Sequence, residues 1–208
     1  MRIAPEGWPF IVIAWLIVAV LFYFGLWWAA IPMVLVAGWV VAFFRDPQRT
    51  GPRGDDVVIA PADGLVVSVI PIDEPKMIGG PAIRVSIFMN VFSVHVNRYP
   101  VSGTITFRHY QKGVFGHAGR EKAALENEHS DIGVTAANGK LLTRQIAGSV
   151  ARRIVTDHEV GAVVKQGERL GLIRFGSRVD VFFPATARIL VKEGDQTQAG
   201  VTVLGKWS

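Results

Sequence analysis

Three short stretches of this chain carry residues whose types suit covalent chemistry. In Phe175-Gly176-Ser177-Arg178 a glycine precedes a serine between two apolar, strand-like runs, Arg169–Ile173 and Val179–Phe183. Gly176 can take backbone angles closed to other residues, and Ser177 presents a hydroxyl beside the preceding carbonyl, so this serine can attack its own backbone. Taken alone, the pair is also an ordinary turn. Pro61-Ala62-Asp63-Gly64 sets Asp63 at a strand end, where side chains converge on sites, although an aspartate before glycine also caps turns. In Phe92-Ser93-Val94-His95-Val96-Asn97-Arg98-Tyr99-Pro100, His95 alternates with Val94 and Val96. On a strand it points to the opposite face from both, as a proton carrier or as a buried structural histidine. An Asp, a His and a Ser are the parts needed to orient a base, move a proton and supply an oxygen nucleophile.

The elements that must position these residues read as mainly β. Val57–Ile59, Gly64–Ile70, Ala82–Phe88, Val94–Val96 and Gly103–Phe107 are short, β-branched and punctuated by Pro, Gly and Asp, the pattern of a compact sandwich or barrel. Glu121–Asn127 reads as one or two helical turns, and Leu141–Val155 fits both periods. Val164-Lys165-Gln166-Gly167-Glu168 and Val191-Lys192-Glu193-Gly194-Asp195 echo each other. Such turns resemble those of biotinyl/lipoyl-type domains, whose two halves form a flattened hammerhead barrel. No lysine sits at a hairpin tip to carry a prosthetic group, so this echo speaks to fold and not to function.

Composition narrows the setting. The 208 residues, half of them hydrophobic, include no cysteine, which excludes disulfides, thiolate metal sites and a cysteine nucleophile. His109, His117, His129 and His158 are scattered, without metal-ligand spacing. A net charge of +5 suits an anionic membrane surface or nucleic acid, and the N-terminus decides for the membrane. From Gly7 to Phe44 no residue is charged, so the run forms two short passes or one embedded helical hairpin, broken near Gly25 and Pro32. Trp8, Trp27, Trp28 and Trp39 include interfacial anchors. Arg2 before the run, and Arg45, Arg49 and Arg53 after it, put both ends on the cytoplasmic side. A linker at 45–52 then leads from a hairpin domain, 1–44, to a β-rich body, 45–208.

Five blocks together resemble the phosphatidylserine decarboxylases, in their short membrane-associated form. These are Phe43-Phe44-Arg45-Asp46-Pro47, Pro61-Ala62-Asp63-Gly64, Val94-His95-Val96-Asn97-Arg98 with Pro100 and Gly103, Glu126-Asn127-Glu128, and Phe175-Gly176-Ser177-Arg178. The resemblance implies a proenzyme that cuts itself between Gly176 and Ser177, giving a large chain (1–176) and a small chain (177–208) that stay together as a heterodimer, with a homo-oligomer also open. Ser177 would become a covalent pyruvoyl group that forms a Schiff base with the serine amine of phosphatidylserine, releasing CO2 and phosphatidylethanolamine without pyridoxal phosphate, metal or nucleic acid. His95 is implied as base and proton donor, and Asp63 as the orienting carboxylate. Arg98, Lys112 and Arg178 are candidates for the lipid phosphate. Longer members carry a second histidine three residues after the first, where this chain has Arg98, which leaves the division of proton transfers open.

Two other classes use the same residues differently. A membrane-anchored serine hydrolase would employ Ser177, His95 and Asp63 without cutting the chain, but Val179 stands where the second glycine of a Gly-x-Ser-x-Gly elbow belongs. A non-enzymatic membrane adaptor with a lipoyl-like body would need none of the three.

Overall fold

The computed structural model describes residues 2–113, 127–148, 153–174 and 177–207. Gly176, Glu126, His117 and most of the helical turn expected at Glu121–Asn127 lie outside the described residues. Two compact units divide the chain, residues 1–48 and 49–208.

In the first unit, helices α1 (Trp8–Tyr23) and α2 (Trp27–Phe43) are joined by a turn in which Gly25 takes φ 70°. Only glycine enters this region without strain, so the break falls there. Pro32, expected to share in the break, lies inside α2, where it removes one helical hydrogen bond without ending the helix. The helices meet through small residues, Ala14, Val18 and Ala37, while Leu16, Ile31 and Leu35 stay exposed. Below them β1 (Arg2–Ile3) pairs with β2 (Arg45–Asp46), so both ends of the hairpin emerge together. The stretch Pro5–Tyr23 is long and apolar enough to cross a membrane, which is weak evidence of membrane association. Trp8 opens α1 and Trp27 and Trp28 open α2, all three exposed.

The second unit is β throughout. Its large antiparallel sheet curls into half a barrel. In spatial order its strands are β11 (Val163–Val164), β7 (Gly103–Gln111), β8 (His129–Ala136), β9 (Gly139–Ala147), β13 (Ser177–Pro184), β5 (Gly80–Met89), β4 (Gly64–Glu74) and β15 (Gln196–Thr197). Two three-stranded sheets close over it. One is β10 (Ile154–Thr156), β12 (Arg169–Ile173) and β6 (Val96–Arg98); the other is β14 (Arg188–Ile189), β16 (Val203–Lys206) and β3 (Val57–Ile59). Val58, Val66, Ile87, Leu170, Val179 and Leu204 draw all three into one core.

Strand β13 lies at the centre and is buried on both faces. Val179, Val181 and Phe183 face the core, where each contributes roughly 1.5–3 kcal/mol. On the other face Arg178 and Phe182 flank Asp180, and Phe182 meets Met77 and Leu142 beneath the β4–β5 turn.

The echo at 164–168 and 191–195 is one turn built twice. Lys165 N donates to Glu168 Oε2 and Lys192 N to Asp195 Oδ2, each at 2.9 Å, and Gly167 and Gly194 supply positive φ at the corner.

Candidate active site

The large sheet meets a small one at a corner where β5 leads through Asn90–His95 into β6. Met89 of β5 pairs with Ser177 at the start of β13, and Val96 of β6 pairs with Leu172 near the end of β12. Ladder pairing on both sides therefore fixes His95 and Ser177 at one corner, although 82 positions separate them in sequence. A third segment, Ala60–Asp63, runs past it: Arg98 N donates to Pro61 O at 2.9 Å, and Leu65 pairs with Phe88.

Ser177 is the first residue of β13, paired with Met89 on one side and Ala147 on the other, and it is fully buried. Its Oγ donates to Met89 Sδ at 3.4 Å, a soft acceptor that leaves the hydroxyl oxygen poorly solvated. His95 lies in the connection just before β6, not within a strand as the alternation suggested, because the chain turns there between sheets. It is fully buried, with Nδ1 2.9 Å from Ser93 O. A carbonyl only accepts, so Nδ1 carries a proton, and in a neutral ring the basic lone pair would then be on Nε2.

Asp63 points elsewhere. Its Oδ2 accepts from Arg49 Nη2 and its Oδ1 from Ala199 N, both at 2.7 Å, so neither oxygen is bonded to the His95 ring. This carboxylate ties the start of β4 to Arg49 and to the chain after β15.

The three cations read as phosphate contacts differ in placement. Arg178 is only 1% exposed, and its guanidinium is held in a fork by Asp180 (2.6 and 2.9 Å) and donates to Ser86 Oγ. It locks β13 to β5 and does not face solvent. Arg98 is half-buried and donates to Gly167 O at 3.1 Å. Lys112 is exposed just past β7, at the Ser177 end of the sheet but three strands away, about 14 Å at the usual spacing.

Sequence reasoning missed a buried polar ladder beside the serine. Asn97 Nδ2 also donates to Met89 Sδ (3.6 Å), while Asn97 Oδ1 accepts from Gln145 Nε2 (2.8 Å). Gln145 Oε1 in turn accepts from Thr156 Oγ1 at 3.1 Å. Asn97 and Gln145 are fully buried, and the ladder orients the Asn97 amide with its N–H groups toward the sulfur next to Ser177. Gln145 lies in a strand that also carries Lys140, Thr143 and Arg144, so its place in the ladder left no local signal.

The histidines are less scattered than their spacing suggested. The β7–β8 register places His109 opposite Asp131 and near His129, a group with the ligand types for a metal ion. Both Asp131 oxygens are already held by Arg144, at 2.6 and 2.9 Å, so a cation would compete there with a guanidinium. Burial holds the His129 pKa below its ordinary value, with help from Arg144 and His109.

A family model described as phosphatidylserine decarboxylase matches residues 36–205. The phosphatidylserine decarboxylase proenzyme of Magnetococcus marinus is 46% identical over 207 residues, covering 98% of this chain and 94% of that protein. The proenzyme of Symbiobacterium thermophilum is 45% identical over 205 residues (98% and 95%), and that of Nitrosomonas eutropha 44% over 206 (99% and 95%). With near-complete coverage in both directions, and with a buried serine and histidine at one corner of its central sheet, this chain belongs to the phosphatidylserine decarboxylase family.

Proposed function

We propose that this chain is a proenzyme that cuts itself before Ser177 and then decarboxylates phosphatidylserine to phosphatidylethanolamine at a membrane surface. The observation that carries the reading is Ser177 itself: a buried nucleophile at the first position of a doubly paired strand, at the corner that also holds His95.

Cleavage starts when His95 takes the Ser177 Oγ proton and Oγ bonds to the Gly176 carbonyl carbon. The C–N bond breaks, its nitrogen gains a proton, and an ester remains. Removal of the Ser177 α-proton then breaks the Cβ–Oγ bond, so that Oγ departs within the Gly176 carboxylate. Water replaces the nitrogen as ammonia and leaves a ketone at position 177. Asn97 donates its amide N–H to the departing carboxylate, because Gln145 holds it toward the sulfur beside Oγ. Asn97→Leu should therefore slow the appearance of the small chain roughly tenfold, the worth of one hydrogen bond to a charged group. Unchanged cleavage in a folded variant would remove Asn97 from the chemistry.

The site fits a pyruvoyl group. Once Oγ has left, the Ser177 Cβ becomes a methyl, and the Met89 thioether accepts a methyl as readily as a hydroxyl. Once formed, the group would supply an electron-withdrawing carbonyl able to condense with the substrate amine, releasing water, and to stabilise the carbanion left by CO2. His95 then returns a proton at the substrate carbon, and the dry corner prevents loss of charge to water. Asp63 serves by position, holding Arg49 and the 196–199 segment in place. Lys112, at the Ser177 end of the sheet, supplies positive charge toward anionic headgroups, whereas Arg98 is held by Gly167 O near the opposite end.

The helical hairpin sits in the cytoplasmic leaflet and presents the body to its substrate. Leaving the bilayer would cost a lipid about 0.8 kcal/mol per CH2, so enzyme and headgroup meet at the surface. The two chains stay together as a heterodimer. Borohydride added with phosphatidylserine should fix the lipid amine to the 177–208 chain and abolish activity, whereas borohydride alone should add only hydrogen. Lipid mass on the large chain, or none at all, would refute the proposal.

A further inference from the structure

The connection that delivers His95 to the site has an apolar tip. Between Met89 and His95, both fully buried, the chain rises through Asn90-Val91-Phe92-Ser93. Phe92 is 71% exposed and Val91 37%. Among the described residues of 49–208, the exposed aromatic side chains are Phe92 and Tyr110, and the Tyr110 hydroxyl is bonded to Glu128. Phe92 therefore presents a purely hydrocarbon ring to the outside.

The tip is held in place. Asn90 Oδ1 accepts from Phe92 N (2.9 Å) and Ser93 N (3.2 Å), and Asn90 O accepts from Ser93 N (3.0 Å). These bonds brace the turn from within. A rigid turn presenting Val and Phe costs solubility in water and gains free energy in an acyl layer.

Its footings give the exposure a direction. One residue before Asn90, Met89 Sδ touches Ser177 Oγ at 3.4 Å; Ser93 O, at the far end of the turn, accepts from the His95 ring at 2.9 Å. Whatever takes up the Val91–Phe92 tip thus lies next to the reacting atoms on both sides.

We propose that Val91 and Phe92 form a wedge that enters the acyl region of the bilayer and sets Ser177 at headgroup depth. This rests on the reading of a bilayer lipid as substrate, which requires the reacting carboxyl to reach the buried corner without the lipid leaving its layer. The wedge acts separately from the hairpin: the hairpin keeps the protein on the membrane, and the wedge orients the body there.

The chain has no cysteine, so one introduced thiol carries one label. In the full-length processed enzyme, Phe92→Cys bearing an environment-sensitive fluorophore should brighten and shift to the blue on vesicles of phosphatidylserine and phosphatidylcholine. Lipids brominated along the acyl chain should quench it. The same label at Val163→Cys should not respond, because β11 pairs at the Thr104 end of β7, about 24 Å along that strand from Gln111. A label at position 92 that stays water-exposed while the hairpin holds the protein to vesicles overturns the wedge. Replacing both residues (V91S/F92S) should lower turnover of bilayer phosphatidylserine about tenfold while leaving a soluble short-chain analogue within about twofold, and Phe92→Leu should behave as wild type. Equal losses on both substrates would make the tip part of the catalytic core and overturn the wedge. A wild type inert on both would overturn the functional reading, and the label at position 92 would still decide where the tip lies.

Discussion

Ser177→Ala should yield a single uncut chain without decarboxylase activity, whereas the wild type should separate into two chains on a denaturing gel. The expectation is all-or-none because, in the proposed mechanism, the hydroxyl is both the nucleophile that opens the backbone and the atom whose departure leaves the ketone. Removing it barely disturbs the fold. Oγ makes one weak bond, to Met89 Sδ, and the strand position is fixed by pairing with Met89 and Ala147 and by the Arg178–Asp180 fork. A stability change within about 1 kcal/mol is expected, so loss of cleavage cannot be traced to unfolding. Intact mass is the decisive measurement. The wild type should show a small chain beginning at position 177 with a blocked N-terminus. A fully active, uncut wild type would sink the mechanism.

His95→Ala should cost 10²–10⁴-fold, about 3–5 kcal/mol of barrier, in each step that the ring serves. The geometry fixes its tautomer: with Nδ1–H donating to Ser93 O, Nε2 is the atom of the neutral ring that can act as base. Two readouts separate its two roles. The rate at which the small chain appears reports the attack by Ser177, and turnover by chains that have matured reports proton return to the substrate carbon. In matured His95→Ala the borohydride-trapped lipid should persist while product falls, because bonding to the amine survives and protonation does not. Near wild-type turnover in matured chains would take proton return away from His95.

How much of this was legible in the sequence depended on whether the signal was local. Val57–Ile59 and Arg169–Ile173 are strands with the expected bounds, because β-branched and apolar runs between glycines and acids carry their own conformation. Gly64–Ile70 was read too short. Strand β4 runs on through Pro71 to Glu74, and it tolerates the proline because β15 covers its outer side only near Leu65, leaving the missing N–H on an open edge. Ser177, Gly176 and His95 stood out through motifs of a few residues. Met89, Asn97, Gln145 and Thr156 did not, since their meeting depends on strand register across two sheets, which no local pattern encodes. Asp63 and Arg178 show the converse. Their types suggested an orienting carboxylate and a surface cation, yet Arg49 and Ala199 hold the one, and Asp180 and Ser86 the other. His109 and His129, twenty positions apart, became neighbours through a hairpin register that spacing alone could not reveal.

Residues 177–207 supply β13 to the middle of the large sheet, β15 to its edge, and β14 and β16 to a second sheet. In the uncut chain these strands find their places as part of one polymer, and chain connectivity supplies a high effective concentration. After the proposed cut they would belong to a separate peptide. The native assembly would lose little, since the backbone bonds along β13 on both sides would remain, but its way back would not survive: refolding from a denatured mixture would become a bimolecular search that slows with dilution. Maturation would thus turn a reversible fold into one reached once, and the lifetime of the working enzyme would become a matter of unfolding rate and not of equilibrium.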